Sequence, residues 1–506
     1  MNLQVNLAQS SIYTILKSHS GPCLIDSSGN ALDYKHVQDV CSTLGRQLST
    51  IETKKSNVFG IVLPNGINMA ICFLTLANYV VAAPLNPNYT QDEYIFYLED
   101  LECEYIVTDK NASTYLKNAA KKTGVKLLFI ESNIENYSFH LKSIKKEESV
   151  KIKINENDDP CMILHTSGTT SRPKQVQLTT KNILTSASNI SKTLRLNKVD
   201  KGLNIMPLFH IHGLVASLLS SIFSGGSLVC TEGFNGLNFF AQIGTFQPSW
   251  ITAVPTMYQA VLARSSRNTS IIDNSNIRFL RSSSAAMPVK TIEELENVFG
   301  CPVIEAYGMT EAAHQMASNS LKGKRKYGSV GKAAGPEIAL LKDGKVYNEP
   351  KMEGEIIIKG ENVTKAYRNN DLANRESFTG GWFRTGDLGL FDTQGFIFIS
   401  GRIKEIINKG GEKISPKEID EALMKHESVF QAVSFSISHE KLGEEIGAAV
   451  VLKDKSSISK DELLKHLKTT ISAFKIPKTI LFLDEIPKGN TGKIQRIGLA
   501  KKLGVE

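Results

Sequence analysis

The stretch NVFGIVLPNGINMAICFLTLANYVVAAPLNPNYTQDEYIFYLEDLECEYIVTD, residues 57–109, decides the fold class of this protein. Short apolar runs alternate there with helical patterns, in the order 57–63, 67–79, 80–85, 92–101 and 104–109. A strand, a helix and another strand at this spacing are typical of βαβ units, whose strands pair in parallel. The stretch therefore predicts a largely parallel sheet with helices packed on it.

The same rhythm returns further along the chain and then stops. Apolar runs and helical patterns alternate again at 249–255, 256–264, 277–283, 289–299 and 301–307. After about Asn319 short strands separated by turns follow, and from Gly401 the chain restarts as a compact α+β module. We expect an α/β protein with a large N-terminal domain (1–400) of two βαβ-type sheet lobes plus a small β subdomain. A domain boundary at 401–404 and a small α+β C-terminal domain (405–506) follow.

Composition limits the classes of function. The chain has 506 residues, 41% of them hydrophobic and 22% charged, with a formal net charge of +8. This charge suits anionic small molecules, but no dense basic stripe supports nucleic acid as the main partner. Seven singly scattered cysteines favour a reducing compartment over a zinc site. Without a signal peptide, a membrane-length apolar run or a C-terminal S-K-L, we expect a cytoplasmic protein that does not insert into membranes; its oligomeric state stays open.

The segment TSGTTSRPK, residues 166–174, has the composition of a phosphate-binding loop. A predicted strand runs into it, and its hydroxyls and backbone N–H groups can surround a polyphosphate while cationic side chains neutralise the charge. The candidate residues are Thr166, Ser167, Gly168, Thr169, Thr170, Ser171, Arg172 and Lys174. The segment is not a Walker A loop, and a polar surface loop is the alternative interpretation.

Two further motifs carry carboxylates at places where ligands collect. GMTE (308–311) follows a predicted parallel strand, and Glu311 is a suitable oxygen ligand for Mg²⁺; a helix N-cap is the alternative. In GWFRTGDLG (381–389), Asp387 can accept hydrogen bonds from vicinal hydroxyls such as those of ribose, or it can form an Asx turn.

The remaining motifs are GRIKEIINKGGEKISPKEID (401–420) and PKGNTGKIQR (487–496), which carries Lys493 on a flexible loop. Together and in this order, the five motifs resemble the adenylate-forming superfamily of acyl-CoA synthetases, peptide-synthetase adenylation domains and luciferases. The resemblance covers nearly the whole chain. It implies that a carboxylic acid reacts with ATP to form an acyl-adenylate, from which coenzyme A takes the acyl group.

The resemblance also implies roles for individual residues. Residues 166–174 would grip the β- and γ-phosphates, Thr310 and Glu311 would handle phosphate and Mg²⁺, and Lys493 would serve the first half-reaction. The resemblance further implies that 401–404 is a hinge centred on Lys404 and that the small α+β C-terminal domain (405–506) is mobile. The other assignments are Tyr307, with Glu305 and Ala306, for adenine; Asp387 and Arg402 for ribose; and Gly410 and Gly411 for the arm of the thiol.

Some motifs resemble one branch, the oxalate–CoA ligases. They are the Ser171-Arg172 pair, PLFHIHGL (207–214), RSSSA (281–285) and TEAAH ending at His314. Gln175, where the superfamily usually carries glycine, departs from the pattern; its side chain would slow closure of the phosphate loop or point outward.

Oxalate requires a pocket that holds one carboxylate as an anion while the other reacts. Burying an unpartnered carboxylate costs several kcal/mol, so the pocket needs hydrogen-bond donors. We expect these from His210, His212, Ser283, Ser284 and His314, the last placed one helical turn past Glu311. His210 is also a candidate catalytic residue or gate.

Other readings remain open. A 4-coumarate-like or a short- to medium-chain acid is the alternative substrate. An RNA-binding or other non-enzymatic role on the same fold is the alternative of another class.

Overall fold

A computed structural model describes residues 11–54, 56–142, 144, 153–166, 173–453, 456, 458–487 and 494–506. The described chain forms two compact units. The first contains the described residues up to 166 together with 173–337 and 359–381, and the second contains 338–358 and the described part of 382–506. This division does not test the predicted hinge at 401–404, which stays a prediction.

The helices and strands are numbered in chain order. The helices are α1 (Ile12–Lys17), α2 (Tyr34–Ser49), α3 (Ile67–Tyr79), α4 (Gln91–Leu101), α5 (Thr114–Thr123), α6 (Thr180–Leu194), α7 (Ser220–Phe223), α8 (Phe239–Phe246), α9 (Pro255–Ser265), α10 (Thr269–Asp273), α11 (Val289–Phe299), α12 (Asp371–Ser377), α13 (Pro416–Met424), α14 (Lys460–Thr470) and α15 (Leu499–Lys502).

The strands are β1 (Pro22–Ile25), β2 (Ala31–Asp33), β3 (Val58–Val62), β4 (Val81–Pro84), β5 (Tyr105–Thr108), β6 (Lys126–Asn133), β7 (Ser138–Leu141), β8 (Pro160–Thr166), β9 (Lys174–Thr179), β10 (Lys201–Asn204), β11 (Ser227–Cys230), β12 (Trp250–Ala253), β13 (Phe279–Ser282), β14 (Val303–Met309), β15 (His314–Ser318), β16 (Lys332–Ala333), β17 (Glu337–Lys342), β18 (Lys345–Tyr347), β19 (Glu353–Lys359), β20 (Tyr367–Arg368), β21 (Phe378–Thr379), β22 (Trp382–Phe391), β23 (Ile397–Arg402), β24 (Ile407–Lys409), β25 (Glu412–Ile414), β26 (Val429–His439), β27 (Gly443–Leu452) and β28 (Thr479–Phe482).

The stretch 57–109 forms the centre of the first sheet, as predicted. The strand order is β20-β9-β8-β4-β3-β5-β6-β7, and the pairs β8–β4, β4–β3, β3–β5 and β5–β6 are parallel. Every residue of α3 from Met69 to Tyr79 is buried, as expected for a helix that packs between apolar neighbours. Helix α4 begins with a capping box, in which Thr90 and Glu93 each accept a backbone N–H of the other.

The second sheet comes from the second predicted series. Its order is β16-β15-β14-β13-β12-β10-β11-β1-β2, and β1, β11, β10, β12, β13 and β14 pair in parallel. The predicted α/β class with two βαβ-type lobes is therefore confirmed. The pattern did not reveal that the N-terminal hairpin β1–β2 extends this sheet, because a contact between residues about 200 apart in the chain leaves no local periodicity.

A β-hairpin, rather than a helix, carries His314. A short 3₁₀ turn, Thr310–Ala312, follows β14, and Ala313 and His314 have positive φ angles of 47° and 97°. The chain then returns as β15, antiparallel to β14, with Met309 opposite His314. The expectation that His314 lies one helical turn past Glu311 is wrong, because the left-handed residues reverse the chain before a helical turn can form.

The second unit contains two sheets. One has the order β18-β17-β19-β22 with β23 beside β22, and the other has the order β25-β24-β27-β26 with β28 beside β27. Helices α13 and α14 cover the latter around an apolar core that includes Ile419, Leu423, Leu463 and Leu467. The predicted α+β module is thus present.

All seven cysteines are buried free thiols, and burial raises the pKa of Cys41 to about 12. Within the described ranges, no helix has the length and hydropathy needed to cross a membrane.

Gly308→Ala should damage the β14–β15 hairpin. A Cβ at position 308 would lie 1.8 Å from the backbone oxygen of His314, so the strands would have to separate. We expect a loss of about 1–3 kcal/mol in the free energy of unfolding, measured by urea denaturation.

Gly244→Ala is the matched control for that variant. Gly244 lies in α8, where the nearest atom to a new Cβ is Ile271 Cγ2 at 3.7 Å. The free energy of unfolding of Gly244→Ala should rise by about 0.4–1 kcal/mol. If both variants change stability equally, the steric role of Gly308 is refuted.

Candidate active site

The predicted phosphate loop is described only at its two ends. Thr166 ends β8 and Lys174 begins β9, and the two are register partners in an antiparallel pair. The other candidate residues, Ser167, Gly168, Thr169, Thr170, Ser171 and Arg172, lie outside the described residues, as does Lys493. Their roles stay predictions.

Lys174 and Glu311, which are far apart in sequence, meet at the same tyrosine. The hydroxyl of Tyr367 donates to Glu311 Oε1 at 2.8 Å, and Lys174 Nζ lies 4.5 Å from the centre of the Tyr367 ring. Burial, and then the Glu311 carboxylate, raises the pKa of Tyr367 well above its usual range, so the phenol keeps the proton that it donates. Sequence reasoning missed Tyr367, because a single tyrosine in a polar stretch of sequence carries no distinctive signal.

Gln175 is buried and does not point outward. Its amide nitrogen donates to Asp100 O at 2.6 Å and to Asp100 Oδ2 at 2.8 Å, and its oxygen accepts from Arg368 at 3.0 Å. The side chain therefore ties β9 to the end of α4 and to β20. In place of glycine, this chain has a buried polar link directly after Lys174.

The residues predicted to meet adenine and phosphate follow one another on β14 and the turn after it. Glu305, Ala306 and Tyr307 are buried, and Thr310 begins the 3₁₀ turn. Glu311, at 6% exposure, is nearly enclosed. The strand end thus presents backbone and side-chain oxygens at the carboxyl edge of a parallel sheet, where open α/β sheets bind ligands.

Glu311 also fits a hard cation. Mg²⁺ is held in proteins by one or two carboxylates together with the phosphates of a nucleotide, rather than by a full protein cage. The described residues contain no cluster of three or more metal-binding side chains, and the role of Glu311 as a metal ligand stays a prediction.

Two of the predicted acid-binding histidines lie together. The ring centroids of His212 and His314 are 4.9 Å apart, and the two residues are only 2% and 1% exposed, respectively. His212 Nδ1 lies 3.0 Å from Ser284 Oγ. The half-buried Ser284 has a positive φ of 73°, a conformation that costs about 1–3 kcal/mol in a non-glycine residue and recurs at functional sites.

The segment before His212 is held by Asn65. The side chain of Asn65 accepts from Leu208 N at 2.7 Å and donates to the carbonyl of Met206 at 3.2 Å. His212 then begins a π-helical segment, His212–Leu219. Such segments are rare and frequently occur at functional sites.

His210 and Ser283 are placed differently from the other candidates. The His210 ring packs against Phe209, with 4.5 Å between the ring centroids. The Ser283 hydroxyl donates to Ala306 O at 2.8 Å, so its proton is used between β13 and β14. The role of each in binding or catalysis stays a prediction.

Arg281 is a residue whose importance sequence reasoning missed. It is 0% exposed, and burial lowers the pKa of its guanidinium to about 10. Its nitrogens donate to Thr252 Oγ1 at 3.2 Å and Gln315 Oε1 at 3.3 Å, both neutral oxygens. A signal was available, since residues 277–283 were predicted to be a strand of a parallel sheet, such strands are covered by helices on both faces, and charged residues are almost never fully buried without a partner.

In the second unit, Asp387 and Arg402 lie side by side, and their role in holding ribose stays a prediction. Strands β22 and β23 pair them directly, and Arg402 Nε lies 3.0 Å from Asp387 Oδ1. Asp387 is buried, so its carboxylate is held in place, whereas the side chain of Arg402 is 52% exposed. This geometry leaves a fixed carboxylate beside an adaptable cation.

The hinge and thiol candidates of the second unit lie in turns. Lys404 is exposed in the 3₁₀ turn Ile403–Glu405. Gly410 and Gly411 have φ angles of 59° and 95° and connect β24 to β25, which explains the glycines sterically whether or not a thiol passes near them.

Arg496 anchors the chain just beyond the position of Lys493. Arg496 Nε lies 3.2 Å from Glu405 Oε2, and Arg496 Nη2 lies 2.6 Å from Asp420 Oδ2. The segment that follows Lys493 is therefore tied to the turn that contains Lys404.

Comparison with known proteins identifies the family. The family model "AMP-binding enzyme" matches residues 16–368, and the model "AMP-binding enzyme C-terminal domain" matches 418–493. The chain is 40% identical to the oxalate–CoA ligase of Arabidopsis thaliana, over 89% of each chain. It is also 40% identical to the oxalate–CoA ligase of Saccharomyces cerevisiae, over 88% of this chain and 87% of that one.

Solved structures agree with this result. The o-succinylbenzoate CoA synthetase of Bacillus subtilis, bound to its acyl-adenylate intermediate, is 28% identical with a TM-score of 0.83, over 96% of this chain and 97% of that one. The same synthetase bound to ATP and a magnesium ion is 28% identical with a TM-score of 0.82, over 97% of this chain and 99% of that one. The two sheet lobes, the clustered motif residues and these similarities lead to one conclusion: the chain belongs to the AMP-binding enzyme family.

Proposed function

We propose that this protein is an ATP-dependent carboxylate–CoA ligase that converts oxalate, ATP and CoA to oxalyl-CoA, AMP and diphosphate. The observation that carries the choice of acid is the cluster formed by the buried His212 and His314 and the half-buried Ser284. A fatty acid would need an apolar lining there, whereas this cluster offers hydrogen-bond donors to a second carboxylate. The two oxalate–CoA ligases at 40% identity support the choice.

In the first half-reaction an oxygen of the acid attacks the α-phosphorus of ATP and diphosphate leaves. Both reactants are anions, so the chain must mask charge where they meet. Lys174 and Lys493 would supply positive charge, and Glu311, oriented by Tyr367, would hold Mg²⁺, which neutralises phosphate charge when bound. The product is an acyl-adenylate.

In the second half-reaction the thiol of CoA attacks the acyl carbon, the bond to AMP breaks, and the thiol proton leaves to solvent or a base. Lys493 must leave before the thiol enters, so we propose Lys404 as the hinge for that change. Asp387 and Arg402 hold the ribose in this scheme, and their observed pairing supports the assignment.

A panel of acids tests the proposed substrate. Purified enzyme with ATP, Mg²⁺ and CoA should give its highest kcat/KM with oxalate, ahead of malonate, acetate, 4-coumarate and octanoate, because a short dianion matches the donors of the buried cluster. Thioester formation and AMP release are the measurements. If octanoate or 4-coumarate exceeds oxalate in kcat/KM, the proposal of oxalate is wrong.

His314→Ala and Tyr367→Phe should separate the acid site from the phosphate site. Loss of a donor to a charged group costs about 1.5–3 kcal/mol, so His314→Ala should raise the KM for oxalate about 10- to 100-fold while the KM for ATP changes little. Tyr367→Phe should affect the KM for ATP or kcat and leave the KM for oxalate nearly unchanged. If the KM for oxalate and the KM for ATP rise equally in His314→Ala, that residue has a structural role.

Lys493→Ala should abolish the first half-reaction selectively. Removing one preorganised charge typically costs on the order of 10²–10³ in rate. Exchange of labelled diphosphate into ATP should fall by that factor, while thioester formation from supplied acyl-adenylate stays measurable. Lys501→Ala, an exposed lysine of α15, is the matched control and should leave both rates unchanged. Equal loss of both half-reactions in Lys493→Ala contradicts the assignment.

A further inference from the structure

A fully buried cation without a carboxylate partner lies next to the histidine cluster. Within the described ranges, no Asp or Glu oxygen lies within ion-pair distance of Arg281, whereas Arg278, also close to β13, pairs with Asp200 at 2.8 Å. Burying a charge without an opposite charge costs several kcal/mol even after relaxation. A site that binds an anion supplies the missing charge when the anion arrives.

The hydrogen bonds beside Arg281 have a defined direction. A guanidinium can only donate, so Thr252 Oγ1 accepts from Arg281 Nη1 at 3.2 Å. Thr252 Oγ1 also lies 2.7 Å from His212 Nε2. Among the described residues the Thr252 hydroxyl has no other acceptor, so its single proton goes to Nε2 or is left without a partner in a buried site, which is costly.

The direction at Thr252 determines the tautomer of His212. When Nε2 accepts, a neutral imidazole carries its proton on Nδ1. Nδ1 then donates to Ser284 Oγ, 3.0 Å away. Ser284 in turn keeps its own hydroxyl proton for a further acceptor. Of the four residues Arg281, Thr252, His212 and Ser284, it is the one that is half-buried rather than buried. The backbone of Ser284 has a positive φ of 73°, a conformation that threonine or other bulky residues would not adopt readily.

We propose that Arg281, Thr252, His212 and Ser284 form one directed donor relay, and that Arg281 is a positioning residue which selects acids with a second negative charge. The relay ends in the Ser284 hydroxyl, which donates to the distal carboxylate of the acid. Each donor polarises the next, so the buried charge strengthens the last hydrogen bond without touching the substrate. This inference rests on the proposed function and adds to it the origin of the selectivity for charge.

The relay is tested first by the preference between oxalate and oxamate. Oxamate has nearly the same shape, but its distal group is a neutral amide. Thr252→Val is close in volume and breaks the relay while Arg281 remains. We expect its kcat/KM for oxalate to fall about 10- to 100-fold, with a much smaller change for oxamate, followed as substrate or as competitive inhibitor. Thr252→Ser should restore the preference.

Arg281→Met should reduce the same preference by removing the charge. Its matched control is Arg278→Met, which removes one positive charge from an ion pair with Asp200 nearby. The control is expected to lower the melting temperature and to leave the ratio of oxalate to oxamate unchanged. Equal changes in this ratio for both arginine variants, or an unchanged ratio in Thr252→Val, would overturn the relay.

A measurement of the His212 tautomer tests the relay independently of the substrate. Nitrogen-15 NMR of labelled histidine in the ligand-free protein should show His212 protonated on Nδ1, with the signal assigned by its loss in His212→Gln. Thr252→Val should abolish this tautomer preference. A wild-type His212 protonated on Nε2 refutes the relay whatever the substrate is. A wild type with the expected tautomer that prefers octanoate to oxalate refutes instead the proposed function and the role of the relay in selecting the acid.

Discussion

The close approach of the backbone at Gly308 to the backbone at His314 is the contact on which the rest of the site depends. The hairpin can close only because position 308 lacks a side chain, since a Cβ there would overlap the oxygen of His314. The turn that results places Glu311 against Tyr367 and brings the ring of His314 to that of His212. One steric condition therefore positions both the phosphate side and the acid side of the candidate site.

The two sides differ in how they treat charge. On the proposed phosphate side the buried carboxylate of Glu311 accepts a hydrogen bond from the Tyr367 hydroxyl, whose pKa is raised, and Lys174 lies over the same ring. On the acid side a buried guanidinium, Arg281, has only neutral oxygens as partners. In a low-dielectric interior, a ligand of opposite sign relieves the buried charge of Arg281. Under the proposed function, the distal carboxylate of the acid near Ser284 supplies this opposite charge.

In the second unit, charged side chains form ion pairs with one another. Asp387 and Arg402 are paired across β22 and β23, while Arg496 joins Glu405 to Asp420. Buried charges of this kind are stabilising only when all partners stay in place, so they favour a single local geometry. The turn with Lys404 and the segment after Lys493 thus share an anchor, which relates the predicted hinge to the predicted catalytic lysine through one side chain.

The sequence by itself determined the α/β class, the alternation of strands and helices, and the motif positions of Lys174, Glu311, Asp387 and Arg402. These follow from local periodicity and from short segments whose chemistry is readable without neighbours. Only the tertiary structure decided that β1 and β2 join the second sheet, that His314 belongs to a hairpin, and that Gln175 points inward. It also revealed the contacts of Tyr367, Thr252 and Arg281. The physical reason is that these features depend on contacts between residues far apart in the chain, where burial and hydrogen-bond partners outweigh local preference.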